Sequence, residues 1–194
     1  MQAGGITFPL WQPQSHINYM LRRNCSDLII SSDNSESLLS LKTTCQINLV
    51  AALGWSGVRE IRKLFEAGYS KVFLGGASRP LPSRDEANIF AEMVSIYGAS
   101  SFGYTLHFED IFPEIDPIFL NQFNEILIVE KEVQLYINQE KCTRLANEFD
   151  KKIRRDSLKV NLCAPEKNYE TWSRSSKFQV NYVNYCEHGI ARVR

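Results

Sequence analysis

KVFLGGASRPLPSRDEA, at residues 71–87, decides the fold, because an apolar strand, a glycine-containing loop and the start of a helix follow one another in it. After the helix comes a second strand, residues 104–108, which runs into Glu109 and Asp110. Strands that alternate with helices of about ten to fifteen residues pair in parallel through right-handed crossovers. An open parallel sheet forms its ligand crevice at the carboxyl ends of its strands. The stretch therefore predicts an α/β fold and the place of a site.

The same alternation of strand and helix runs through most of the chain. Apolar runs typical of strands lie at 27–30, 46–53, 125–129, 134–137, 159–163 and 178–182, the last at a sheet edge, and helical periodicity lies at 58–67, 84–97 and 139–155. Gly68 and Gly98 stand where helix C-caps are expected. We predict a three-layer, Rossmann-like α/β domain with a mainly parallel sheet.

A chain of 194 residues is long enough for one well-buried domain. Glycines and two prolines near the start predict an irregular N-terminal arm at residues 1–15. After Pro165 the apolar period weakens and Tyr, Trp, Ser and Asn become frequent, which predicts a C-terminal extension at about residues 165–194. We therefore expect a single domain with two appended segments.

Composition excludes several classes of protein. Twenty-two basic and twenty-two acidic residues cancel, so no global charge favours nucleic acid or an anionic membrane. The longest apolar runs have about six residues, against the roughly 20 needed to cross a bilayer. The start of the chain also lacks a charged segment followed by an apolar core. These features predict a soluble, cytoplasmic protein.

The cysteines predict neither disulfides nor a metal site. There are five of them, widely scattered and without a Cys-x-x-Cys pair, whereas a disulfide framework or a zinc site needs closer and more regular spacing. Reduced, mostly buried thiols are expected, and no metal ligands are assigned.

Two glycine-containing turns follow strands and are candidates for ligand binding. Gly54, Ser56 and Gly57 lie between a strand and a helix, where backbone N–H groups at a helix start can hold an anion. Gly75 and Gly76 repeat the arrangement after the next strand. An ordinary βα turn is the alternative explanation, because neither turn matches the dinucleotide or the Walker fingerprint.

Charged residues surround the second of these turns. Arg79 and Arg84 flank the loop, where they could meet an anionic ligand or lie as ordinary surface arginines. Glu86 stands three residues after Ser83, the spacing of a capping box in which the two side chains satisfy backbone donors at a helix start. A structural role for Glu86 is therefore at least as well supported as a functional one.

The end of the second strand carries the remaining candidates. His107 precedes Glu109 and Asp110, and adjacent carboxylates on a strand point to opposite faces, so at most one of the two enters a crevice. His107 is the first choice for a site histidine, although a single histidine on a strand is more often structural. We assign no catalytic residue.

The order of these motifs resembles the SanA/YdcF-like family of Rossmann-type proteins over about residues 46–155. The resemblance rests on LGWSG at 53–57, AGYSKVFLGG at 67–76, RDEA at 84–87 and the Glu109-Asp110 pair. It implies that the glycines, Glu86 and the Glu-Asp pair line a common pocket for a small nucleotide-like ligand. S-adenosylmethionine is the ligand reported for one branch, and a transferase or hydrolase activity would follow from such a ligand.

Two other classes of function remain open from the sequence. Asp27, followed by Ser40 and Lys42, imitates the spacing of a metal-dependent nuclease in which a serine replaces the second acid. Alternatively, the chain is a non-catalytic protein-interaction domain, because fold does not fix function. Its aromatic C-terminal segment, with Trp172, Tyr182 and Tyr185, would then supply the contact surface.

Overall fold

The fold is described from a computed structural model of the chain. The structure describes residues 5–7, 27–31, 38–39, 48–75, 81–107, 117–129, 139–186 and 190–192. Nine strands belong to these ranges: β1 (Gly5–Thr7), β2 (Asp27–Ser31), β3 (Asn48–Leu53), β4 (Tyr69–Gly75), β5 (Phe102–His107), β6 (Glu125–Val129), β7 (Lys159–Ala164), β8 (Val180–Cys186) and β9 (Ile190–Arg192).

Helices follow most of the strands from β3 onward. They comprise a 3₁₀ turn (Trp55–Glu60), α1 (Ile61–Glu66), α2 (Arg84–Tyr97), a second 3₁₀ turn (Ala99–Ser101), α3 (Pro117–Leu120), α4 (Gln139–Lys152) and α5 (Glu166–Ser175). The predicted C-cap glycines close two of them, because Gly68 and Gly98 adopt φ of 97° and 83°, which side chains with a β-carbon disfavour.

All the described strands belong to one sheet, in which each strand pairs with its neighbours in the sequence. The ladders from β1 to β8 are parallel, and only the β8–β9 ladder is antiparallel. The sheet curls until β1 lies beside β8 and β9. Consecutive parallel strands whose first and last members meet form a barrel rather than an open sheet.

The two faces of this curled sheet are both buried, but against different partners. Alternate side chains of the strands pack under the helices together with residues such as Leu64, Met93, Leu145 and Trp172, and we call this the outer face. The other side chains form a second buried cluster among the described residues, and we call this the inner face. The inner face comprises Ile29, Val50, Ala52, Phe73, Leu127, Val129, Cys163 and Val183.

The predicted α/β class and mainly parallel sheet are confirmed. The arrangement differs from the expected Rossmann-like layers in its strand order. A doubly wound sheet reverses its order at a switch point, whereas these strands follow one another without reversal. Local strand and helix signals are the same in both architectures, because both consist of βαβ units with right-handed crossovers.

Both segments that were predicted as appendages contribute strands to the sheet. β1 lies within the predicted irregular arm, and the predicted extension supplies α5, β8 and β9. The predicted edge strand at 178–182 corresponds to β8, which pairs with β7 on one side and β9 on the other. The strand predicted at 134–137 lies outside the described residues.

Candidate functional site

The carboxyl ends of the parallel strands form one mouth of the barrel. In eight-stranded α/β barrels the loops at this end carry the active site, and the opposite end serves stability. β4 ends here at Gly75, β5 at His107 and β6 at Val129. Polar side chains on the inner face near these strand ends are therefore the candidates for a site.

β5 places two polar side chains on the inner face. Tyr104 and Leu106 belong to the outer-face core, so alternation directs Thr105 and His107 inward. Thr105 is only 6% exposed, and within the described part of the chain its Oγ1 has no hydrogen-bond partner. His107 is the last residue of the strand and is half-buried, with Nδ1 inaccessible to solvent. The mouth thus has a buried hydroxyl below a histidine at its rim.

Apolar side chains line the inner face at the level of His107. The sheet register aligns His107 with Val129, Cys163 and Val183 on the next three strands. These three neighbours are all buried, and Cys163 is not part of a disulfide. The wall level with His107 is therefore apolar, whereas the level of Thr105 continues through Leu127 to the amides of Asn161 and Asn181.

Gly75 ends β4 in a conformation that only glycine adopts easily. Its φ is +103°, and an added β-carbon would lie 2.6 Å from the Tyr104 ring and 3.0 Å from the Thr105 carbonyl oxygen. In the register Gly75 stands directly beside Thr105. Consequently β4 contributes no side chain next to the buried hydroxyl. The predicted site residues Gly75 and His107 lie near each other, at the ends of the neighbouring strands β4 and β5.

The turn after β3 contains the three residues predicted to hold an anion. Gly54 is the N-cap of the first 3₁₀ turn and provides no side-chain cap. Ser56 is exposed. A β-carbon on Gly57 would come within 3.1 Å of Leu53, so this glycine serves close packing of the turn on its own strand. A role of these three residues in ligand binding remains a prediction.

The start of α2 contains the predicted capping box. Glu86 Oε2 accepts a hydrogen bond of 2.7 Å from the Ser83 backbone N–H, and Ser83 Oγ accepts one of 3.4 Å from the Glu86 N–H. The structural role of Glu86 is thereby confirmed. Arg84, the first residue of the helix, is exposed.

Several predicted site residues lie outside the described residues, namely Gly76, Arg79, Glu109 and Asp110. Their assignment stays a prediction. Thr105 was missed, although one signal was available: polar residues at 105 and 107 alternate with apolar residues at 104 and 106, which is the pattern of a strand with two different faces.

The opposite end of the barrel contains a charged network. Glu125 is the first residue of β6 and is 7% exposed. Its Oε2 forms an ion pair with Lys71 of β4, and its Oε1 lies 3.1 Å from Lys159 Nζ. Asn161 Nδ2 donates to the same Oε1 at 2.9 Å, and Asn181 Nδ2 donates to Asn161 Oδ1 at 3.1 Å. The charges at this end therefore satisfy one another.

The pKa of Glu125 reflects two opposing effects. Burial raises it, but the hydrogen bond and charge of Lys71, the charge of Lys159 and the hydrogen bond from Asn161 together lower it further, so that the carboxyl pKa lies below its usual value. Glu125 is thus an ionised structural group. The network holds together β4, β6, β7 and β8.

Two of the three aromatic residues predicted to form a contact surface lie in the core instead. Trp172 is 0% exposed and packs under α5 with its ring centroid 6.0 Å from that of Phe149. Tyr182 is also buried, and its ring lies 4.5 Å from that of Tyr169. Both side chains therefore fill the core. The side chain of Tyr185 lies outside the described part.

The sequence matches no protein-family model and no curated protein. Solved structures do match it. A tryptophan synthase alpha-subunit mutant from Pyrococcus furiosus superposes with a TM-score of 0.62 at 11% identity, over 94% of this chain and 86% of that one. The fold is TIM-barrel-like.

Two further solved structures have the same architecture. An HMG-CoA lyase from Acenitobacter baumannii, in complex with coenzyme A and 3-methylmalate, gives a TM-score of 0.60 at 11% identity over 100% of this chain and 80% of that one. The tryptophan synthase subunit alpha from Campylobacter jejuni gives 0.53 at 10% identity, over 94% and 86% of the two chains. At these identities the likeness establishes the fold alone.

The predicted nucleotide or S-adenosylmethionine binding is wrong, because the matching structures are TIM-barrel enzymes. The alternative nuclease motif is described only in part. Asp27 lies on β2, while Ser40 and Lys42 fall outside the described residues. Among the residues described, no group of three or more His, Cys, Asp or Glu could hold a metal, and no helix is long and apolar enough to cross a membrane.

Proposed function

We propose that the protein is an enzyme that binds a small organic substrate at the carboxyl-terminal mouth of its barrel. The observation that carries this proposal is the distribution of polar groups along the barrel. At the amino-terminal end Lys71, Glu125 and Lys159 are engaged with one another. At the other end Thr105 and His107 point inward from the last residues of β5.

The position at the end of a barrel strand supports a functional role for His107. In TIM-barrel enzymes, catalytic residues come from the ends of strands at this mouth. An imidazole also gains and loses a proton near neutral pH more readily than other side chains, which suits it to general acid–base work. We therefore assign proton transfer to His107, and binding of the substrate to the inner face around it.

The matching structures support an enzyme as well. One of them is an HMG-CoA lyase with coenzyme A and 3-methylmalate bound, which is an example of small organic molecules held on this architecture. Because one fold hosts many reactions, the likeness does not select a reaction. The substrate must be found by experiment.

Incubation with a mixture of candidate substrates tests the proposal. The wild-type protein is incubated with a mixture of small organic acids, ketones and alcohols, and substrate loss is followed by mass spectrometry. His107→Gln keeps hydrogen-bonding capacity but removes the titrating group, so we expect turnover to fall by about 10²-fold or more. Glu148→Gln, which removes a surface charge that pairs with Lys151, is the matched control.

The location of binding is tested separately. Methyl-labelled NMR during a fragment screen should show shifts at Val129 and Val183 on the inner face, with Val160 on the outer face as reference. Fragments that shift only outer-face methyls would place the binding site elsewhere and contradict the proposal. Turnover that survives in His107→Gln would remove the role of this histidine.

A further inference from the structure

Thr105 has a buried hydroxyl that no described residue satisfies. It is 6% exposed, and in the described ranges nothing accepts from or donates to its Oγ1. A buried polar group without a partner destabilises the folded state, so most proteins satisfy or remove such groups. Valine has nearly the same shape and would fill the position without that cost. An unsatisfied hydroxyl beside a strand end therefore points to a ligand.

The surroundings of Thr105 define what can reach the hydroxyl. Gly75 on the β4 side contributes no side chain, and Leu127 on the β6 side is apolar. One level nearer the mouth than Thr105, beside His107, the inner face is lined by Val129, Cys163 and Val183. A ligand that enters the mouth passes His107 first and meets a wall of aliphatic carbon and sulfur. Below this wall, the Thr105 hydroxyl lies at the same register level as Leu127 and the amides of Asn161 and Asn181.

The charge of the ligand follows from the same surroundings. At the level of Thr105 the register places Leu127, Asn161 and Asn181, none of which carries a formal charge. The titratable His107 lies above them at the rim. The charged groups Lys71, Glu125 and Lys159 lie further from the mouth than Thr105, Glu125 by one inward-facing layer, and they compensate one another. An ionised ligand group placed beside Thr105 would lose its hydration without gaining a counter-ion, which is strongly unfavourable.

We propose that Thr105 is a substrate-binding residue and that it hydrogen-bonds an uncharged, oxygen-bearing end of the substrate, of ketone, alcohol or amide type. This rests on the proposed function, and it adds the class of group that enters the barrel below His107. Any ionised part of the substrate stays at or above the rim. The hydroxyl donates to a carbonyl oxygen, or exchanges a hydrogen bond with an alcohol.

Binding of three matched probes to three proteins tests the proposal. The probes are cyclopentanone, cyclopentane and cyclopentanecarboxylate, which share a ring and differ in the polar group. The proteins are the wild type, Thr105→Val, which removes the hydroxyl, and Thr105→Ser, which keeps it. Binding is read from the methyl shifts of Val129 and Val183, with Val160 as the outer-face reference.

We expect cyclopentanone to bind the wild type and Thr105→Ser, and to bind Thr105→Val about tenfold more weakly, the effect of one hydrogen bond. Cyclopentane should bind Thr105→Val at least as well as the wild type, and the carboxylate should bind none of them at this position. Thr105→Val should also melt at the same or a higher temperature, since an unsatisfied hydroxyl has been replaced by a methyl group.

Equal binding of cyclopentanone to wild type and Thr105→Val would overturn the role of the hydroxyl while leaving the mouth as the site. Stronger binding of the carboxylate than of the ketone would overturn the uncharged class. If no probe shifts Val129 or Val183 in any of the three proteins, the mouth does not bind small molecules, and both this inference and the proposed function fail.

Discussion

A β-carbon added to Gly103 would lie 2.3 Å from the ring of Phe73, so these two neighbours across β4 and β5 fit together only because position 103 has no side chain. Phe73 belongs to the inner face and is 1% exposed. Its ring therefore occupies the space that a side chain at position 103 would need. At this level the large ring of Phe73 fills the space that Gly103 leaves open, so that the barrel interior is close-packed.

Gly103→Ala should destabilise the protein through this overlap. The ring of Phe73 is confined inside the barrel and cannot move away freely, so we expect a loss of about 1–3 kcal/mol in the free energy of unfolding, measured by urea denaturation. Gly54→Ala is the control, because a β-carbon there meets nothing closer than Ser56 Oγ at 3.8 Å, and φ is −64°. The double variant with Gly103→Ala and Phe73→Leu should be more stable than Gly103→Ala alone.

Neutralising Glu125 should destabilise the amino-terminal end of the barrel. Glu125→Gln leaves Lys71 and Lys159 near each other without the carboxylate between them. Breaking a fully buried pair costs about 3–5 kcal/mol, and because both lysines reach solvent we expect about 2–3 kcal/mol. Urea unfolding at neutral pH measures the loss. Equal stability of the variant and the wild type would mean that the charged network makes no net contribution to the free energy of unfolding.

The contribution of Glu125 should also depend on pH in a defined direction. Its pKa in the folded protein is lower than the ordinary value of 4.5. Stabilisation by the ionised carboxylate is therefore complete above the unfolded pKa and is lost as pH falls through the folded value. The stability difference between wild type and Glu125→Gln should be constant near about pH 7 and shrink below about pH 4. A difference that grows on acidification would contradict the lowered pKa.

The capping box at the start of α2 should tolerate glutamine but not the loss of its serine. Ser83→Ala removes the oxygen that accepts from the Glu86 N–H and should cost about 1 kcal/mol. Glu86→Gln retains an oxygen that can accept from the Ser83 N–H, so its unfolding free energy should stay close to that of the wild type. A large loss of stability in Glu86→Gln alone would show that the charge itself is needed.

Local features of the fold could be predicted from the sequence because their causes are local. The capping box, the strand before Gly75 and the C-cap glycines depend on a few neighbouring residues and were found where expected. α5 was not predicted, because only Tyr169 and Trp172 supply apolar area along its ten residues. Two apolar positions are too few to show the spacing of apolar residues that indicates a helix.

Closure of the sheet could not be predicted, because it depends on contacts between distant parts of the chain. The meeting of β1 with β8 and β9 joins the two ends of the sequence, and no local pattern records it. The candidate site could not be predicted for the same reason. Thr105 looks like an ordinary strand residue until the curled sheet shows that it faces inward and is buried.

Trp172→Ala should test whether the C-terminal segment is core or contact surface. Trp172 is 0% exposed and packs against Phe149 of α4, so its truncation leaves a large cavity between α4, α5 and the outer face. We expect a loss of about 3–5 kcal/mol in the free energy of unfolding, a large part of the roughly 5–15 kcal/mol that holds a domain together. Arg174→Ala is the control, since Arg174 lies on the same helix in an exposed pair with Glu170 and should change stability by less than about 0.5 kcal/mol. Wild-type stability in Trp172→Ala would mean that the side chain is not part of the core, and the interaction surface would have to be reconsidered.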